Sequence, residues 1–142
     1  MSMDNYPGEL IRKVLTDSKT IAVVGLSGNE TRASHSVTRF LNGRGHTTIG
    51  VNPGLAGKTV ANSPVYATLA DVPVPVDMVD VFRNSEDAGG AVDEALRMSP
   101  LPKYIWMQLG VYNEAAAKRA EARGVTVIMN RCPAIEYPRV MR

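Results

Sequence analysis

TIAVVGLSGNETRASH, residues 20–35, decides how the rest of the chain is read. Thr20 to Val24 is short, apolar and rich in β-branched residues. Gly25 ends it, and a helical pattern begins near Ser34. Strand, tight loop and helix in that order open a βαβ unit. The loop of such a unit lies over the C-terminal end of its strand, where the helix presents unpaired N–H groups. That is a physical place for a phosphate.

Working outward, Leu10, Ile11, Val14 and Leu15 form one stripe of a short helix over Glu9–Thr16, which would pack on the sheet. After the loop, His35–Asn42 reads as a helix with Val37, Phe40 and Leu41 inward, stopped by Gly43 and Gly45. Thr47–Val51 is a second strand, closed by the turn Asn52-Pro53-Gly54. Leu55–Pro64 reads as a loop with at most a very short strand at Thr59–Val60, and Ala67–Asp71 as one helical turn. Val79–Phe82 is a third strand, although Asp80 interrupts what should be a continuously apolar run. Asp77 and Asp80 would face opposite sides if both were in the strand, which argues against a carboxylate pair.

Ser85 reads as the cap of a helix running to about Met98, and Lys103–Met107 as a fourth strand. Asn113 caps an alanine-rich helix ending near Gly124, and Val125–Met129 is a fifth strand. From Asn130 onward no periodicity is visible, and Met1–Gly8 reads as a loose lead-in. Five strands alternating with helices, joined by short connections, predict a single α/β domain: an open parallel five-stranded sheet with helices on both faces. A ligand would sit at the C-terminal strand ends, near the point where the strand order reverses.

Composition narrows the function. Sixteen basic and 14 acidic residues leave a net charge of +2, and aromatics do not interleave with the basic residues, so nucleic acid is not expected as a partner. One cysteine excludes an intrachain disulfide, and two distant histidines give no metal-ligand spacing. The longest apolar runs have strand length, far below a membrane span. With no signal-peptide pattern at the start, the expected location is cytoplasmic.

The loop reads G-x-S-G, which is neither the dinucleotide fingerprint nor a P-loop with its lysine and magnesium-binding hydroxyl. Ser27 and Ser34 can donate hydroxyls to phosphate, and Arg32 adds a donor fork. The plainer alternative is that Gly25 serves a tight turn, Ser34 caps the helix and Arg32 is a solvated charge. An NAD site wants a carboxylate at the end of the second strand. Here stand Asn52 and Pro53, followed by Lys58, a set better suited to the phosphorylated ribose of NADP or coenzyme A, although Asn-Pro-Gly is also a turn signal in its own right.

Longer strings make the comparison specific: VVGLS at Val23–Ser27, Arg32-x-Ser34, VNP at Val51–Pro53, VDMVDVFR at Val76–Arg83, IWMQLGVYNEAA at Ile105–Ala116, and Arg131-Cys132 followed by Ile135-Glu136. In order and spacing, from about Leu10 to Glu136, the chain resembles the small stand-alone coenzyme A-binding proteins, similar to the N-terminal domain of the succinyl-CoA synthetase α subunit. The resemblance implies a Rossmann-like fold that binds coenzyme A or an acyl-CoA. It places Gly25, Ser27, Arg32 and Ser34 at the phosphates, with Leu26 inside the same loop. Asn52 and Pro53 would border the nucleotide, and Phe82 and Arg83 would meet the adenine or the 3′-phosphate. The chain departs from the family's Arg-Pro-Ser-Tyr-Arg at Ala33, His35 and Ser36, losing one basic residue. It has Asn130 and Ala134 where relatives often carry Asp and Lys.

Catalysis finds little support in the residues. The synthetase α subunit uses a phosphorylated histidine in a second domain, which these 142 residues do not contain. His46, in Gly45-His46-Thr47, reads as a solvated turn residue, and His35 as a phosphate-binding or packing residue beside the loop. Trp106 and Leu109 are expected to pack, and Gln108 to face the cleft and meet a pantetheine amide. Cys132, beside Arg131 past the fifth strand, would lie near the coenzyme thiol and could exchange with it as a mixed disulfide. The plainer reading is a small buried hydrophobe. The expectation is a binder without chemistry of its own. A small NADP-linked oxidoreductase, or a cofactor-sensing regulator that binds a protein partner or a second copy of itself, stands as the alternative.

Overall fold

Thr20–Val24 (β1) lies mid-sheet because four of its five residues are apolar enough to be buried on both faces. The structure, a computed structural model, describes residues 6–141, so residues 1–5 of the expected lead-in lie outside the described part. On one side β1 pairs in parallel with β2 (Thr47–Val51), and on the other with β5 (Met78–Val81). Two further parallel strands, β6 (Tyr104–Met107) and β7 (Thr126–Ile128), extend the β5 side. These five are the strands that alternation predicts, and they form an open Rossmann-like core.

The stretch Leu55–Pro64, expected to be a loop with at most a very short strand at Thr59–Val60, holds that strand and runs on into a further, unexpected one. Thr59–Val60 (β3) pairs antiparallel with Ser63–Tyr66 (β4), and β4 runs parallel to β2. The full order is β3-β4-β2-β1-β5-β6-β7. The order therefore reverses direction between β1 and β5, and a crevice opens there beyond the strand ends.

Alternation along the strands divides the core. Ile21, Val23, Met78, Trp106 and Ile128 pack under α1 (Gly8–Asp17), α2 (Ala33–Gly43) and α5 (Pro133–Val140). Ala22, Val24, Val79, Ile105 and Met107 pack under α3 (Ser85–Ala95) and α4 (Glu114–Glu121). Asn113 caps α4 as its position predicts, accepting from Ala116 N at 3.0 Å. Asn84, rather than Ser85, caps α3, accepting from Asp87 N at 2.8 Å, and that helix ends at Ala95.

The aperiodic tail is the helix α5. Its start is set by Pro133, whose missing N–H costs nothing in the first turn. His46 is not solvated: it is buried, with Nδ1 donating to Ser18 O and Nε2 accepting from the Tyr137 hydroxyl. Burial lowers its pKa, and the nearby Arg44 lowers it further. Leu109, expected to pack, is exposed. Asp77 precedes β5 and accepts from the backbone N–H groups of Lys19 and Thr20, which ties β5 to the start of β1.

Candidate functional site

A cleft of about 440 Å³ lies at the switch point. The end of β1 gives it Gly25 and Ser27, the start of α2 gives Arg32, Ala33 and Ser34, the end of β5 gives Phe82 and Arg83, and the end of β6 gives Gln108, Leu109 and Val111. Three strand ends and one helix N-terminus thus converge although they are far apart in the chain.

Gly25 is required by geometry. Its φ is +91°, and a Cβ there would stand 2.4 Å from the carbonyl oxygen of Phe82. Its N–H donates to Val51 O, so the chain leaves β1 while still bonded to β2. The next residue, Leu26, does not face the cleft. It is fully buried and fills the space over Gly50, where a Cβ would stand 2.5 Å from Leu26 Cδ2. Asn52 holds the same turn from below: its Nδ2 donates to Leu26 O, and its Oδ1 accepts from Gly54 N. Asn52 therefore shapes the loop, and neither it, Pro53 nor the exposed Lys58 lines the cleft.

The N-terminus of α2 is open. Arg32 is its N-cap residue, no side chain caps it, and no acidic residue stands in its first turn. Ser34 does not act as the cap. Its Oγ accepts from Ser27 N at 3.0 Å, bridging the loop to the helix and keeping its own proton for a further acceptor. Ser27 Oγ accepts from Asn29 N and likewise keeps its proton. Among the described residues neither the Arg32 nor the Arg83 guanidinium has an ion-pair or hydrogen-bond partner. Two arginines, two hydroxyls and a helix dipole give this side of the cleft a positive character.

The β6 wall differs. Gln108, Leu109 and Val111 carry no charge. Gly110 takes φ +80°, and its N–H donates to Asn130 Oδ1 at 2.7 Å, which pins this wall to the chain after β7. Asn130 itself sits at φ +58°, a conformation that asparagine tolerates better than most residues. Sequence reasoning did not single out Val111, Leu109 or Ala33 as cleft residues. The glycine at position 110 was the available signal for the first two.

His35 and Cys132 are not brought to this cleft. His35 is buried on the other side of α2, lining a polar groove with Arg39, Asn42, Thr59 and Asn62. Cys132 is 7% exposed and packs in the cluster under α1, α2 and α5, as a small hydrophobe would. Asp80 is fully buried between Val23 and Trp106, and among the described residues neither of its carboxyl oxygens has a partner. Burial pushes its pKa well above the usual carboxylate range. Trp106 satisfies its ring N–H on Arg131 O at 2.8 Å. Among the described residues no group of three or more His, Cys, Asp or Glu side chains could hold a metal, and no helix is long and apolar enough to cross a membrane.

Fold and cleft together define a doubly wound α/β domain with a positive crevice at the switch point. The description "CoA binding domain" fits residues 19–138, and the chain belongs to that family. It is 36% identical over 130 residues to the uncharacterized protein YneT of Bacillus subtilis (strain 168), covering 92% of this chain and 93% of YneT. A hypothetical protein from Pyrococcus horikoshii OT3 superposes with a TM-score of 0.91 at 30% identity, over 100% of this chain and 97% of that one. The Thermus thermophilus protein called cell-free ID.343 gives 0.88 at 30% identity, over 95% and 99% of the two chains.

Proposed function

We propose that this chain binds coenzyme A or an acyl-CoA in the switch-point cleft and performs no chemistry on it. The observation that carries the reading is the open N-terminus of α2, uncapped and free of acidic residues, with the Arg32 guanidinium and the Ser27 and Ser34 hydroxyls beside it. Backbone N–H groups, hydroxyls and a planar donor fork together match a pyrophosphate. Gly25 supports the same placement, because any larger residue would fill the floor against Phe82 O. Coenzyme A brings its own reactive thiol, and the residues here would bind and orient it. Among the described residues that line the cleft there is no histidine, lysine, tyrosine, cysteine or carboxylate to serve as a general acid or base. That favours a binder over an NADP-linked oxidoreductase.

Calorimetric titration with coenzyme A, NADP, NAD and ATP tests the reading. Coenzyme A should bind most tightly, and Arg32→Ala should weaken it by about 10- to 150-fold, the yield of a hydrogen bond to a charged group. Binding of NAD as tight as that of coenzyme A refutes the choice of ligand.

A further inference from the structure

The polar groove on the other side of α2 measures about 450 Å³ and shares no lining residue with the switch-point cleft. His35, Arg39 and Asn42 stand at i, i+4 and i+7 of the helix, so they fall on one stripe. Glu30, just before the helix, joins them, and Thr59 and Asn62 of the β3–β4 hairpin complete the lining.

His35 offers this groove a donor. It is only 6% exposed, and its Nδ1 is sealed from solvent with no partner among the described residues. Nε2 is also without a partner there but is not sealed, so it is the ring nitrogen that opens on the groove. A sealed N–H without an acceptor is rarer in proteins than a sealed lone pair. The proton therefore belongs on Nε2. Asn42 offers the opposite. Ser63 Oγ gives its proton to Ala61 O at 3.0 Å, so in the 2.7 Å bond between Thr48 and Ser63 it is the Thr48 hydroxyl that donates. Thr48 Oγ1 then accepts from Asn42 Nδ2 at 3.2 Å, which fixes the amide and leaves Asn42 Oδ1 as an acceptor. Arg39 is exposed and has no ion pair or hydrogen bond among the described residues, although Glu30 lines the same groove.

These charges choose the ligand. A dianionic phosphate would meet one guanidinium and one carboxylate, with no net attraction. A free amino acid carries one charge of each sign on neighbouring groups, its carboxylate accepting and its ammonium donating. We propose that this groove binds a free α-amino acid. The carboxylate takes the Arg39 guanidinium and His35 Nε2–H, and the ammonium takes Asn42 Oδ1, with Glu30 balancing its charge. Helix residues three or four apart hold their Cβ atoms about 5–6 Å from each other, a span that the two ends of one amino acid can bridge. The site stands whether or not coenzyme A occupies the switch-point cleft.

NMR titration of the full chain reads the site directly, because His35 and His46 are its only histidines and give separate ring signals. The probes are the twenty standard L-amino acids, acetate, methylamine and inorganic phosphate. At least one amino acid should shift the His35 ring signals saturably, leave those of the buried His46 in place, and bind more tightly than acetate, methylamine or phosphate. Arg39→Met should weaken that amino acid about tenfold or more, the yield of a hydrogen bond to a charged group, and leave calorimetric titration with coenzyme A as in wild type. Acetate or phosphate binding as tightly as every amino acid overturns the choice of ligand and makes the groove a simple anion site. No shift with any amino acid, or undiminished affinity in Arg39→Met, overturns the site itself. None of these outcomes bears on the coenzyme A reading, which its own titration decides.

Discussion

Replacing Gly25 by alanine probes the geometry on which the cleft stands. Two costs arise at this position. An L-residue at φ +91° pays roughly 1–2 kcal/mol for the left-handed conformation. The new methyl would also stand 2.4 Å from Phe82 O, where an unstrained carbon-to-oxygen contact needs about 3.3 Å. That oxygen cannot retreat freely, because the Phe82 N–H is bonded to Val24 O at 2.9 Å and β5 is paired on both sides. Overpacking of this kind costs about 1–3 kcal/mol. Gly25→Ala should therefore lose about 2–5 kcal/mol, or about 5–15 °C of melting temperature for a chain of this length. Gly90→Ala is the matched control. Gly90 lies within α3, and no atom lies within 4 Å of where the new methyl would stand, so alanine there should stabilise by about 0.5–1 kcal/mol. Differential scanning calorimetry of the two variants reads both signs. A Gly25→Ala protein melting within about 2 °C of wild type would refute the strain argument.

Two further outcomes follow from buried groups. The native pKa of Asp80 is raised by burial, so the folded protein holds that proton more firmly than the unfolded chain. The stability it contributes is complete below the ordinary aspartate range and is lost as pH rises towards the native pKa. Urea denaturation should accordingly find Asp80→Asn close to wild type near pH 4 and increasingly more stable towards pH 7; a gap independent of pH would show that the carboxyl is not held neutral. Cys132→Ser places a hydroxyl in an apolar cluster and should cost about 1–3 kcal/mol while leaving coenzyme A affinity within about twofold. A large loss of affinity would place the thiol at the ligand, against its position in the fold.

Local chemistry made much of this protein legible in its sequence. Apolar runs such as Thr20–Val24 are strands because a parallel sheet covered on both faces buries nearly every residue of them. Asn113 could be assigned as a cap because capping involves a partner three residues away. The resemblance of VVGLS and IWMQLGVYNEAA to a known family carried the ligand class, which the family match over residues 19–138 bears out at the level of coenzyme A binding. The tertiary structure decided what depends on distant partners. Ser63–Tyr66 is a strand because β2 offers it an edge, and four residues containing Pro64 do not announce that alone. His46 is buried because Ser18 and Tyr137, 28 and 91 residues away, come to either side of its ring. The same reason divides the candidate residues: His35 lies one residue after Ser34 yet points across α2 into another groove, while Gln108, 76 residues beyond Arg32 in the chain, shares its cleft. Helical rotation separates neighbours by about 100° per residue, and parallel strand order brings remote ends together, so sequence proximity and spatial proximity part at the site itself.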